Sequence, residues 1–429
     1  MGLLVKPVVM RVGAMEKFPD RGVPRMNITL DGVSLEEINA GSKETKYEGN
    51  KLDLYEGGEV REFEGVQVKG RGNSTWDQEK KPYQIKFSQR VDLFGLGKNK
   101  KWILLANYFD ESLMRNDIAM LFAEMLEVRY NVRGEFAEVY FDGKYEGLYY
   151  VLPKIEIAKG SVNLKELDGV IFELDTLHRY EEECYESYLG ECLVLKDTVT
   201  KEQGMTQKVA MDFMKDFDDF EMAVEKGDYE RVTELIDVDS FVKYFIVNEF
   251  TVNPDAYVSS FYLYRDGADD RIHAGPVWDF DLALGNRNWS LEADEAFYSP
   301  SEEMFRKREV FTQDGYNGDS LISRLLYYLE GIPDFRNRIR IVFQEKMSGR
   351  KAEFQNRIMD RVSSIYDAVD YNQTKWGVGD FEDEIDLLMK WIAERYDYFE
   401  MIYSDDDMDV VFDDNSGTNV LQKSEGVLY

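Results

Sequence analysis

The sequence predicts an α+β protein in two parts, a strand-rich lobe over roughly the first 155 residues and a larger helical lobe after it. Three observations predict this. The runs Val66-Gln-Val-Lys69, Tyr83-Gln-Ile-Lys-Phe87 and Glu138-Val-Tyr-Phe141 follow the two-residue period of half-buried strands. Beyond about residue 160 the apolar spacing becomes helical. Hydrophobic residues make up 44% of the 429, enough to build a core in each part.

Taken in order, residues 1–24 read as an N-terminal extension and residues 25–155 as the strand-rich lobe. Asp142-Gly143, between two strand-like runs, is a hairpin turn. One helix interrupts the strands: Asp110–Leu126 puts Leu113, Ile118, Leu121, Phe122 and Met125 near one face, with an acidic first turn. Residues 156–404 form the helical lobe, with helices predicted over Gln207–Lys226, Tyr229–Leu235, Val238–Glu249, Leu321–Leu329, Pro333–Ser348, Lys351–Val369 and Glu382–Ile402. Within it, Ser260–Tyr264 and Ile272–Asp281 read as a strand pair around a turn carrying Gly267. The tail, 405–429, sets seven acidic residues against Lys423 with little periodicity, and is expected to fray.

Charge and composition remove several functions. With 52 basic and 84 acidic residues the net charge is −32, which opposes nucleic-acid binding. Two histidines and two cysteines are too few for a His/Cys metal protein, and no Gly-x-Ser-x-Gly elbow accompanies either histidine. No stretch is long and uncharged enough to cross a membrane. The N-terminus, interrupted by Lys6 and Arg11, is no signal peptide as it stands. Placement at the cell surface or outside the cell would need an export signal trimmed from this end; otherwise the cytoplasm is expected. Cys184 and Cys192 flank a predicted hairpin and could pair in an exported protein, while compartment frequencies favour two free thiols.

Chemistry concentrates in Asn253-Pro-Asp255, Ser260 and Gly275-Pro-Val-Trp-Asp279-Phe-Asp281. Phosphoryl transfer needs a carboxylate beside the acceptor hydroxyl, carboxylates on Mg²⁺ and a cation on the nucleotide phosphates. Asp279 and Asp281, two apart, would share a face if the chain were extended there. Asp255 follows a predicted helix and precedes the strand pair, as a kinase catalytic-loop aspartate does, and Ser260 stands five residues on, where a kinase carries its second metal ligand. Taken singly, each of these is also an ordinary acidic turn.

A second cluster is the loop Arg71-Gly72-Asn73-Ser74 between two strands, whose small residues would let backbone N–H groups approach an anion. Lys86, on the strand that leaves this loop, is the candidate phosphate contact, with Lys81 its rival. A surface turn followed by an edge strand with solvated lysines is the plain alternative. In a third cluster Asn107 and Asp110 are candidate helix caps, and Arg115 and Asn116 could face a cleft.

Seven motifs in order carry a family likeness: Arg71-Gly-Asn-Ser-Thr-Trp76, Lys81-Pro-Tyr-Gln-Ile-Lys86, Trp102-Ile-Leu-Leu-Ala-Asn107 through Asn116, Tyr145-Glu-Gly-Leu-Tyr149, Phe172-Glu-Leu-Asp175, Asn253-Pro-Asp255 and Gly275-Pro-Val-Trp-Asp-Phe-Asp281. From about residue 65 to 290 the chain resembles the spore-coat protein H (CotH) kinase family. The resemblance implies a bilobal, atypical protein-kinase-like fold that uses ATP and Mg²⁺ to phosphorylate Ser/Thr of proteins. It places the catalytic aspartate at Asp255 and the metal-binding aspartate at Asp279, with Asp281 second. Two positions depart from the family: Ser260 replaces a frequent Asn, and Pro153 replaces a frequent Glu and removes a backbone donor from the segment that would bind adenine. The −32 charge points to Lys/Arg-rich protein substrates. A non-catalytic binding scaffold and an AMP transferase on the same fold stay open beside the kinase.

Overall fold

A computed structural model of the chain describes residues 9–12, 18–175, 184–286, 299–301, 325–377, 379–403, 408–413 and 418–423. Its N-terminal region is a closed, barrel-like sheet. Strands β2 (Arg25–Thr29), β3 (Tyr47–Glu56), β4 (Glu59–Gly70), β5 (Tyr83–Asp92), β6 (Lys98–Leu105), β7 (Glu135–Phe141) and β8 (Lys144–Pro153) run in the order β4-β3-β2-β7-β8-β6-β5, and a β4–β5 pairing closes the ring. Only β2–β7 is parallel among these pairs. The length of β4 allows both neighbours: Gln67–Gly70 pair with β5, while Glu59–Glu62 pair with a further strand, β1 (Val9–Val12).

Alternation decides what fills the barrel. Ile28, Leu54, Val68, Tyr83, Ile85, Trp102, Leu104, Val139, Tyr149 and Val151 point inward and form one buried cluster. The alternate residues Ile103, Phe136, Leu148, Tyr150 and Leu152 point outward and join the core of the C-terminal region. At the β7–β8 turn Asp142 and Gly143 both adopt left-handed backbone, the geometry of the predicted hairpin.

Helix α2 (Arg115–Met125) sits between the two regions, and ten of its eleven residues are buried. The one-faced amphipathic reading is therefore corrected, because both the barrel and the C-terminal helices cover it. Phe122 stacks on Phe250 with ring centres 4.0 Å apart. A second, short helix, α1 (Leu35–Ala40), closed by a Ser34/Glu37 capping box, also belongs to the N-terminal region, where a single helix was expected.

The C-terminal region contains α3 (Gln203–Glu225), α4 (Tyr229–Leu235), α5 (Val238–Thr251), α6 (Leu325–Gly331), α7 (Pro333–Lys346), α8 (Lys351–Trp376) and α9 (Phe381–Tyr403). All seven predicted helices are present: α4 has the predicted ends and the others shift at one or both, while residues 321–324 of the predicted Leu321–Leu329 lie outside the described residues. A five-stranded sheet stands among them, ordered β10 (Cys184–Glu186), β11 (Cys192–Thr198), β9 (Val170–Leu174), β12 (Phe261–Arg265) and β13 (His273–Ala274). Every residue of β9 is buried, so its apolar run shows no alternation to read. Cys184 and Cys192 are joined as a disulfide across β10–β11, their Cα atoms 5.5 Å apart, against the expectation of free thiols. The tail also departs from expectation: β14 (Met408–Asp413) and β15 (Thr418–Lys423) pair antiparallel. Its acidic count masked the apolar run Val410-Val-Phe412 in the sequence. No helix among the described residues is long and apolar enough to cross a membrane.

Candidate active site

Three carboxylates converge where α5 and β13 deliver their C-terminal ends. Helix α5 stops at Thr251 because Val252 turns left-handed, and Asn253 then accepts the Asp255 N–H at 3.2 Å. Pro254 fits the first turn of the short 3₁₀ segment that follows. Strand β13 ends at Ala274, well short of the predicted Asp281. Asp279 has left-handed backbone (φ 68°), so the extended-strand argument for Asp279 and Asp281 fails. Their carboxylates still meet: oxygens of Asp255, Asp279 and Asp281 all lie within 4.8 Å of one another.

This geometry is electrostatically costly without a cation. Burial first, then Asp279, Asp255 and Asp110, hold the Asp281 carboxyl well above the ordinary range. Ser260, left-handed itself (φ 62°), donates its hydroxyl to Asp279 Oδ2 at 3.2 Å. Its N–H donates to Glu173 Oε1 at 3.2 Å. Ser260 thus braces the trio at its edge. A hard divalent cation with oxygen ligands suits such a donor set.

Cations line the facing barrel wall. Burial pulls the Arg71 guanidinium below its ordinary value, opposed by Asp279, Tyr262, Glu173 and Asp281, which places Arg71 within electrostatic reach of the trio. Its guanidinium lies 5.5 Å from the centre of the Trp278 ring. Burial also pushes the Lys154 ammonium down to about 8, helped by Lys101, Arg71 and Lys196 and opposed by Glu156. Lys101 and Lys196 are each paired, with Glu156 (2.6 Å) and Glu173 (2.8 Å). The Lys154 backbone N–H donates to the Lys101 carbonyl at 3.1 Å, while its ammonium makes no hydrogen bond or ion pair among the described residues and is available to a ligand.

The predicted phosphate loop divides. Arg71 faces the site, but the Gly72 carbonyl and Asn73 side chain accept from Lys43 at 2.8 and 2.7 Å. Ser74 opens a 3₁₀ turn. Lys81 is taken away from the site: its ammonium donates to the Trp76 and Gln78 carbonyls, which finish that turn. Lys86 lies on the barrel's outer face, in register with Lys101 and Gln67. Sequence reasoning passed over Lys154 and Glu173. Glu173 was legible as the polar break in Val170-Ile-Phe-Glu-Leu174, whereas no local pattern marks Lys154.

The residues carrying this geometry fall inside a family match. The model of the CotH kinase protein family covers residues 68–399, and the chain belongs to that family. Among curated proteins it is similar to the inner spore coat protein H of Bacillus subtilis (strain 168), at 28% identity over 228 residues. The match takes in 51% of this chain, and the chain spans 59% of that relative's length.

Proposed function

We propose that the chain is a protein kinase: it transfers the γ-phosphoryl group of ATP, with Mg²⁺, to Ser or Thr of a protein, on a bilobal atypical kinase-like fold. The observation that carries this is the carboxylate trio Asp255, Asp279 and Asp281, with Arg71 in the field of Asp279 and Asp281 and Lys154 in the field of Arg71, in a member of the CotH kinase family. Asp279 and Asp281 are the residues that would hold the cation, which when bound offsets negative charge on the phosphates. Asp255, partly exposed in the first turn of its 3₁₀ segment, orients the acceptor hydroxyl and takes its proton. Arg71 and Lys154 bind phosphate oxygens, a role we assign to them in preference to Lys86 and Lys81. The name of the B. subtilis relative makes a spore-coat substrate reasonable, and the −32 charge favours a basic one.

A non-catalytic scaffold is the second reading. What favours it is Ser260, a short hydroxyl already spent on Asp279. Incubation with Mg²⁺ and either γ- or α-labelled ATP plus a basic, Ser-rich protein separates the readings. Transfer of the γ-label supports the kinase, transfer of the α-label means AMP transfer, and transfer of neither leaves the scaffold.

A further inference from the structure

We propose that Asn116 is a positioning residue that sets the peptide between Asp279 and Phe280 and so aims the Asp279 carboxylate; this rests on reading the trio as a divalent-cation site. A non-glycine residue seldom adopts the left-handed backbone of Asp279, so surrounding contacts must hold it there. The Phe280 N–H, the next donor along the chain, is accepted by Asn116 Oδ1 at 3.0 Å. Asn116 is 3% exposed, so no solvent competes for that bond.

The amide of Asn116 has one orientation that satisfies its neighbours. Asn107 Nδ2 donates to the Leu113 carbonyl at 2.8 Å, a partner that can only accept. That turns Asn107 Oδ1 toward Asn116, which answers with Nδ2 at 3.4 Å. Oδ1 of Asn116 is left for Phe280. Alanine would supply neither half of this relay. Aspartate would keep the acceptor alone.

The relay stands on a rigid base. Asn116 is the second residue of α2, whose first N–H, on Arg115, is accepted by Asp110 Oδ2 at 2.8 Å. The Arg115 guanidinium bonds to Asp110 Oδ1 at 2.5 Å, and both residues are buried. The far end of the acidic loop is tied to the same segment: Asn286 Nδ2 donates to the Asp281 carbonyl at 2.5 Å and the Phe109 carbonyl at 2.7 Å. Residues 107–116 therefore act as a frame against which both ends of the loop are set.

The test is Mn²⁺ binding to the full chain without nucleotide, by calorimetry, with the melting temperature measured alongside. Outer-shell partners of metal ligands typically change affinity about 10- to 100-fold, and Asn116→Ala is expected to weaken Mn²⁺ within that range. Asn116→Asp, which retains the acceptor, should recover most of the binding. Asn107→Ala frees the Asn116 amide to turn and should give a smaller loss; it carries the test if Asn116→Ala fails to fold. Unchanged Mn²⁺ affinity in the folded variants, with only the melting temperature lowered, would mean a structural role and overturn the proposal alone. A wild-type protein that does not bind Mn²⁺ overturns the reading of the trio and this inference with it.

Discussion

Asp279 and Asp255 belong to one carboxylate cluster but meet different partners, and substitution should separate them. Asp279 shares the trio with Asp281 and is braced by Ser260. Asp279→Asn should therefore abolish Mg²⁺-dependent nucleotide binding in calorimetry while leaving the melting temperature close to wild type. Asp255→Asn should cut phosphoryl transfer by about 10²–10⁴-fold, the usual worth of a general base, with little change in ATP affinity. Equal loss of nucleotide binding in both variants would move Asp255 into the metal shell. The two lysines give a second contrast. Lys154→Ala removes a cation held low by burial and should weaken ATP binding about tenfold or more, because charge-assisted bonds carry roughly 1.5–3 kcal/mol, whereas Lys86→Ala should leave it within about twofold; the reverse ranking would return the phosphate contact to Lys86. The acidic trio was readable from sequence because its motifs are short and local. Lys154 was not, since only the strand order of the barrel sets the end of β8 beside β6 and the site.

Among the elements, α8 does the joining that no local pattern announces. Its last turns reach across to the barrel and bind the backbone of β8. Asn372 Oδ1 accepts the Leu148 N–H at 3.0 Å, Trp376 Nε1 donates to the Glu146 carbonyl at 2.8 Å, and Lys375 bonds to the Tyr145 carbonyl and the Glu146 carboxylate. Gly147 makes room: a Cβ there would lie 2.8 Å from Lys80 Cε and 3.0 Å from Asn372 Oδ1. Asn372→Ala should cost about 1–3 kcal/mol in denaturant unfolding, because it strands the buried Leu148 N–H. Lys80 completes this joint, donating to the Leu148 carbonyl at 2.6 Å, and burial pushes it down to about 7, with Lys375 adding repulsion and Glu146 opposing. An unfolded lysine keeps its proton until about pH 10.4, so between pH 7 and 9.5 the unfolded chain holds a proton the folded one lacks. Stability from this group should thus rise with pH across that window, and Lys80→Met should flatten the rise when both proteins are melted from pH 7 to 9.5. Helices were the most legible elements, since α3, α5, α7, α8 and α9 run for 14 residues or more with periodic apolar faces. Strands β9 and β10 were the least, the first buried on both sides and the second only three residues long.

For the whole molecule, the −32 charge is the largest feature still without a partner, and it yields the prediction that reaches furthest from the site. The cleft itself is mixed, with Arg71 in the field of Asp279 and Asp281 and Lys154 in the field of Arg71, so its own chemistry does not require a basic substrate. The surrounding field does: a strongly negative surface raises the local concentration of Lys/Arg-rich segments and speeds their encounter. Exposed charges are screened over about 8 Å at physiological ionic strength, so the effect should sit in KM and not in kcat, and should fade as salt rises. Peptides of equal Ser content with Lys, Gln or Glu flanks should rank in that order of kcat/KM at low salt and converge at high salt. Efficient phosphorylation of the Glu-flanked peptide at low salt would show that the acidity lies away from the path of approach, and would leave the assignments of Asp255, Asp279 and Lys154 standing on their own tests.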